Sequence, residues 1–90
     1  MTDEEVMIFG KALGTWGAEA QITMVFEEMS ERQKELCKKL RGKDNVDDIA
    51  EEIADVEIML DQMKLLFNIA PKVSNYRGEK VARLSERLEV

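Results

Sequence analysis

The sequence predicts an all-α domain, an antiparallel four-helix bundle that assembles as a homo-oligomer. Apolar residues recur at helical spacing along most of the 90 residues, and alternating β-branched stretches are lacking. Short polar turns separate the helical segments, which favours antiparallel packing of neighbours. A chain of this length has room for one small core. We therefore expect residues 1–90 to form a single domain that gains stability by self-association.

The first two helices are bounded by recognisable signals. "TDEE" can form a capping box in which Thr2 caps the first helix and Glu5 reaches back. Gly14 and Gly17 mark the end of this helix or a bend in it. The second helix is expected from about residue 17 to residue 41, closing at Gly42. Its predicted apolar face consists of Ala18, Ile22, Val25, Met29, Leu36 and Leu40.

The third helix is expected from about residue 46 to residue 67, with Asn45 or Asp47 as its cap. The fourth helix should follow "NIAP", where Asn68 can cap it and Pro71 is tolerated in the first turn. Spacing predicts one apolar face for each helix. These faces are Ile49, Ile53, Val56, Leu60, Met63 and Phe67 in the third helix, and Val73, Val81, Leu84 and Leu88 in the fourth.

Composition narrows the classes of function. A net charge of −6 disfavours nucleic acid and anionic membranes as partners and is compatible with cation binding. The lack of His removes His-based triads and His zinc sites, so any catalysis must use carboxylates, Lys, Tyr or a metal. Cys37 is the single cysteine, which excludes an internal disulfide. With an acidic N-terminus and no apolar run near ~18 residues, the expected location is the cytoplasm.

Four carboxylates stand beside the predicted apolar faces in two pairs. Glu52 falls inside the apolar arc of the third helix, and Asp55 lies just past its edge. Glu28 and Glu31 repeat this three-residue spacing on the second helix. Crowded carboxylates need protons or a cation to offset their repulsion, and Mg²⁺ or Mn²⁺ is suited to oxygen ligands. The alternative is two solvated faces, an interpretation favoured by Glu35, which continues the acidic line.

Two acidic motifs, "EEMSE" at residues 27–31 and "EEIAD" at residues 51–55, flank a Lys/Arg-rich turn. This arrangement resembles the ExxE…ExxD signature of the all-α nucleoside triphosphate (NTP) pyrophosphohydrolases, which include MazG-like proteins, dimeric dUTPases and phosphoribosyl-ATP pyrophosphohydrolases. The resemblance to small MazG-like proteins runs from "TWGAEAQ" to "KVARLSERL". It implies an oligomeric helical bundle of that type with one catalytic domain. Such an enzyme binds Mg²⁺ and hydrolyses a nucleoside triphosphate between its α and β phosphates.

The resemblance also implies roles for residues at matching positions. The metal ligands would be Glu28, Glu31, Glu52 and Asp55. Glu27, beside the first ligand, would either support the metal ligands or orient the attacking water, and with Glu28 and Glu31 it would form the catalytic group. Lys80 and Arg83 would meet the substrate phosphates, while Trp16 and Gln21 would meet the base.

Two positions depart from the family pattern. Arg32 stands where the family often has Leu, and it either repacks locally or serves phosphate or subunit contacts. Met24 stands where some relatives have Lys. A rival interpretation from a different class is a non-catalytic, oligomeric helical interaction module whose acids are solvated or hold a structural cation.

Overall fold

The computed structural model describes residues 1–90 and consists of four α-helices. The helices are α1 (Asp3–Trp16), α2 (Ala18–Leu40), α3 (Val46–Leu66) and α4 (Ala70–Leu88). The predicted all-α class and the number of helices are therefore confirmed. None of the four combines the length and the apolar character needed to cross a bilayer.

Local hydrogen bonds explain where α1 begins and where α2 ends. The amide of Glu5 donates to Thr2 Oγ1 at 3.1 Å, and the amide of Thr2 donates to Glu5 Oε1 at 2.8 Å, so the predicted capping box is confirmed. At the end of α2, Gly42 adopts φ 85°, a conformation that glycine reaches without strain. The amides of Gly42 and Lys43 return to carbonyls of the last turn of α2, as expected for a glycine-closed helix.

Asn68 closes α3 and does not cap α4, which corrects the prediction. Its φ is 54°, its amide donates to the Leu65 carbonyl, and the following amide of Ile69 donates to the Lys64 carbonyl. Asn tolerates this left-handed conformation better than most residues do. The N-cap position of α4 falls to Ile69, and Pro71 lies in the first turn as predicted.

Asn45 occupies the N-cap position of α3, but its side chain makes no capping hydrogen bond. Its Nδ2 donates instead across the turn to the Glu35 backbone carbonyl and to Glu35 Oε2, both at 2.8 Å. Lys38 Nζ lies 3.0 Å from Glu35 Oε1. The Asn45 hydrogen bond, followed by that of Lys38, lowers the pKa of Glu35. Glu35 is buried, so it does not belong to a solvated acidic line.

Asn45→Ala is expected to lower the free energy of unfolding by about 1 to 3 kcal/mol, because it leaves buried acceptors of the turn without their donor. The melting temperature, compared with that of an Asp44→Ala control at an exposed neighbouring position, measures the effect. Equal melting temperatures for the two variants would contradict the role assigned to the Asn45 amide.

The largest interface joins α2 and α3, α1 packs on both, and α4 contacts α3 alone. Phe9, Val56 and Met59 are the buried apolar residues. Two side-chain hydrogen bonds join α2 to α3 and to the residue that precedes it. Gln21 bonds Gln62 at one end of the interface, and Asn45 bonds Glu35 at the other end. These two pairs fix the antiparallel register of the helices.

The predicted apolar faces are only partly buried, which is a second correction. On α3, Ile53, Leu60 and Phe67 are exposed, while Met59 and Gln62 are buried. The buried stripe of α3 is therefore rotated toward the side that α1 and α2 cover. On α2, Leu36 and Leu40 are exposed as well. On α4, Val73 is half-buried, but Val81, Leu84 and Leu88 stay exposed because this helix meets neither α1 nor α2.

Candidate metal centre

Three acidic side chains converge at the middle of the α2–α3 interface. Glu28 of α2 and Glu52 and Asp55 of α3 each place a carboxylate oxygen within 4.8 Å of the others. All three are half-buried. The antiparallel register set by the polar pairs at the two ends brings these helix faces together. Glu31, the fourth predicted ligand, is exposed and is not part of this group.

The convergence of these carboxylates makes their charged forms unfavourable, because they repel one another and are partly removed from water. Partial burial, followed by the charges of Asp55, Glu31 and Glu27, raises the pKa of Glu28. Burial raises the pKa of Glu52 as well, with further contributions from Asp55 and Glu28. The ion pairs of the chain, Lys38 with Glu35 and Lys64 with Asp61, do not involve the converging group. Its charge is therefore not offset by a basic side chain.

The donor set fits a hard divalent cation. Glu52 Oε2 is buried and has no hydrogen-bond partner. The other donors are also carboxylate oxygens, the ligands that Mg²⁺ and Mn²⁺ prefer. Donor atoms on one Mg²⁺ lie roughly 3 to 4 Å apart. The three acids are thus within reach of a single ion after small side-chain rotations.

The raised pKa of Glu52 predicts the sign of a pH effect in the cation-free protein. Because its pKa is raised, Glu52 takes up a proton at a higher pH in the folded protein than in the unfolded chain, so the folded state is stabilised relative to the unfolded state as the pH falls. Glu52→Gln should raise the melting temperature at neutral pH, and this gain should shrink as the pH falls through the raised pKa. Thermal melts of both proteins in EDTA between about pH 4.5 and 8 check this. A gain that does not depend on pH would contradict it.

A groove of about 930 Å³ is lined by residues of α2 and α3 that neighbour the acidic group along the helices, such as Met59, one turn after Asp55. Trp16 stands at one side with 65% of its surface exposed. On the floor, Gln21 Nε2 donates to Gln62 Oε1, and both residues are buried. Glu27, which precedes Glu28 in α2, also lines the groove. Trp16 and Gln21, the two predicted base contacts, thus line the same groove as Glu27, which was predicted in a different role.

The two predicted phosphate contacts on α4 lie elsewhere in the isolated chain. Lys80 lines a different groove, between α3 and α4, and Arg83 is exposed. Because α4 contacts α3 alone, the structure does not bring these side chains to the group of Glu28, Glu52 and Asp55.

Gln62 was not predicted from the sequence, and Arg32 was predicted either to repack locally or to contact a phosphate or another subunit. Glu52, Asp55, Met59 and Gln62 follow a 3-4-3 spacing, which identifies the covered stripe of α3 and could have revealed Gln62. Arg32 lies one turn after Glu28, and its Nε is buried without a hydrogen-bond partner.

Comparisons with known proteins add no family to this description. A scan against protein-family models, a search of curated proteins and a search of solved structures each found no match to the chain. Any assignment of function therefore depends on the site itself and on the resemblance of the two acidic motifs.

Proposed function

We propose that the protein is a Mg²⁺-dependent nucleoside triphosphate pyrophosphohydrolase of the MazG-like kind, one that releases a nucleoside monophosphate and pyrophosphate. The observation that carries the proposal is the convergence of Glu28, Glu52 and Asp55 from two antiparallel helices. These residues belong to the ExxE and ExxD motifs that prompted the resemblance. Burial and mutual repulsion raise the pKa of Glu28 and Glu52, so the convergence has an electrostatic cost that a bound cation would offset.

In the proposed site, Glu28, Glu52 and Asp55 hold Mg²⁺, which when bound offsets phosphate charge and lowers the pKa of a water molecule. Glu31 lies one turn after Glu28 and supplies a further oxygen from the open side. Glu27 faces the groove beside Glu28, so it is placed to orient the attacking water and to accept its proton.

The groove suits the rest of a nucleotide. The exposed indole of Trp16 offers a face for stacking on a base. The hydrogen bond between Gln21 and Gln62 uses one amide atom of each, which leaves one donor group and one acceptor for the edge of a base. Arg32, with its unpartnered Nε, is the basic group of α2 nearest in sequence to Glu28 and would contact a phosphate. Lys80 and Arg83 would steady the pyrophosphate if α4 reaches the site.

Purified protein incubated with a panel of NTPs and dNTPs, with Mg²⁺ or Mn²⁺, tests the proposal. The expected products are the monophosphate and pyrophosphate in equal amounts, and none should form in EDTA. Release of inorganic phosphate instead would show cleavage at a different bond. A chain that binds the cation but turns over no member of the panel would support the rival interpretation, a non-catalytic interaction module with a structural cation.

A further inference from the structure

Gln21 and Gln62 form the most deeply buried polar contact of the chain, and they also line the groove beside Trp16. Each of the two side chains is only 5% exposed. Gln21 Nε2 donates to Gln62 Oε1, and this is the one hydrogen bond that either side chain makes. The pair therefore joins α2 to α3 and at the same time faces the groove.

Two amide atoms of this pair are accessible from the groove. The buried side-chain atoms that lack a hydrogen-bond partner are Arg32 Nε, Asn45 Oδ1 and Glu52 Oε2. Gln21 Oε1 and Gln62 Nε2 are not among them, so these two atoms reach water, and the opening that both residues share is the groove. The floor of the groove thus presents an acceptor from α2 next to a donor from α3.

Nothing in the protein fixes which of the two amides donates. No carboxylate, hydroxyl or backbone group bonds either amide, and the ion pairs of the chain lie elsewhere. A half-turn of both amides about their terminal bonds gives the reverse hydrogen bond, from Gln62 Nε2 to Gln21 Oε1. The accessible atoms then become a donor from α2 next to an acceptor from α3. The floor has two arrangements with equal hydrogen bonding and opposite patterns.

The rest of the groove suits a flat, uncharged ring. Trp16, Met24 and Met59 contribute apolar surface, and aromatic rings contact both an indole face and a thioether sulfur favourably. The charged residues of the lining are Glu19 and Glu27, and no basic residue is present there. These carboxylates repel phosphate groups, whereas the uncharged base of a nucleotide fits the groove.

We propose that the Gln21–Gln62 pair recognises the base of the nucleotide, and that its reversal lets the site accept both amino and keto bases. Cytosine and adenine have an amino donor beside a ring-nitrogen acceptor, which the observed arrangement matches. Uracil, guanine and hypoxanthine have a carbonyl acceptor beside a ring N–H donor, which the reversed arrangement matches without a shift of the ring. The substrate class is a nucleotide with an unmodified Watson–Crick edge. The inference rests on the proposed function, because it takes the ligand of the groove to be a nucleotide.

Titration with nucleoside monophosphates, the proposed products, tests base recognition without any turnover. Trp16 is the single tryptophan and lines the groove, so quenching of its fluorescence reports on this site. In the presence of Mg²⁺, CMP and UMP should have dissociation constants within about fivefold of each other, the size of one net hydrogen bond. N3-methyl-UMP should bind more than about fivefold more weakly than UMP, because a methyl group replaces its ring N–H donor.

The double variant Gln21→Leu with Gln62→Leu should remove this selectivity. It replaces both partners by apolar side chains of similar size, so no buried amide is left unpaired. The three monophosphates should then bind within about fivefold of one another. Gln33→Leu, at an exposed position of α2, is the control and should keep the parent pattern. Circular dichroism checks that both variants keep their helices, and if the double variant does not fold, the titration of the parent still decides.

Several results would overturn the inference. CMP and UMP that differ by more than about fivefold would show that the pair keeps one orientation. A smaller loss for N3-methyl-UMP would show that the edge of the base is not recognised, and selectivity that survives in the folded double variant would assign it to other residues. Absence of quenching by every monophosphate would overturn the inference and leave the hydrolysis assay unaffected. The expected pattern in a protein that hydrolyses no nucleotide would support the base site and contradict the proposed hydrolysis.

Discussion

Replacing Glu52 by Gln is expected to lower the proposed hydrolysis rate about 100-fold or more, and to remove the rise in melting temperature that we expect Mg²⁺ or Mn²⁺ to produce in the parent. Glu52 contributes a carboxylate oxygen to the converging group, and its buried Oε2 has no other partner in the protein. The amide keeps the shape of the side chain but loses the charge that would hold the proposed cation. A stopped assay for pyrophosphate and thermal melts with and without cation measure the two effects.

Glu51→Gln is the matched control, because it removes the same charge from the neighbouring exposed position of α3. It should keep both the activity and the cation response. Glu52→Gln should remain at least as stable as the parent in EDTA, since it relieves repulsion with Asp55 and Glu28. Loss of activity therefore cannot be blamed on unfolding. Full activity in Glu52→Gln would contradict the proposed site. If the parent hydrolyses no substrate and Glu52→Gln still loses the melting-temperature response to the cation, the result would favour the non-catalytic interaction module.

Residue spacing was sufficient to predict the four helices, since apolar periodicity and the signals at Thr2 and Gly42 are local properties of the chain. Which side of each helix becomes buried was harder to predict. α3 has apolar residues over more than one face, so periodicity alone could not decide between the stripe of Leu60 and that of Met59. The decision depends on where α1 and α2 pack, which is a tertiary property.

In the candidate site, too, local spacing predicted some features, whereas others depend on tertiary packing. Glu52 with Asp55, and Glu28 opposite, could be selected from the sequence because each acid stands at the margin of an apolar stripe. The burial of Glu35 could not, because it depends on an amide that arrives from across the turn. The contacts of Lys80 and Arg83 were also out of reach, since spacing within one chain contains no information about where α4 docks.

Polar layers replace much of the apolar core between α2 and α3. Gln21, Glu28 and Glu35 recur at seven-residue spacing on α2, and partners from α3 or from its N-terminal turn face each of them. Buried polar pairs contribute less net stability than apolar packing but specify the register of the helices. The fold therefore depends strongly on the few apolar residues that are buried, and a cation bound at the middle layer would add to its stability.

Phe9→Ala is accordingly expected to cost about 3 to 5 kcal/mol of the free energy of unfolding. Phe9 is the buried residue of α1 and one of three buried apolar residues in the chain. A domain of this size has a stability of roughly 5 to 13 kcal/mol, so the variant should lose much of it. Urea titrations of parent and variant at one fixed protein concentration measure the change, because self-association, if it occurs, would make the midpoint depend on concentration.

Ile8→Ala, at the exposed neighbouring position, is the control and should change the free energy of unfolding far less. Binding of a cation at the acidic group should offset part of the stability that Phe9→Ala loses. At about 100 times its dissociation constant, a ligand that binds only the folded state adds about 2.7 kcal/mol, so Mg²⁺ should restore a large part of what Phe9→Ala loses. The acidic group consists of residues of α2 and α3 alone, so it should still form in folded molecules of the Phe9→Ala variant. Equal free energies of unfolding for Phe9→Ala and Ile8→Ala would contradict the packing of α1. If Mg²⁺ also stabilises the double variant Phe9→Ala with Glu52→Gln, the cation acts outside the converging acids.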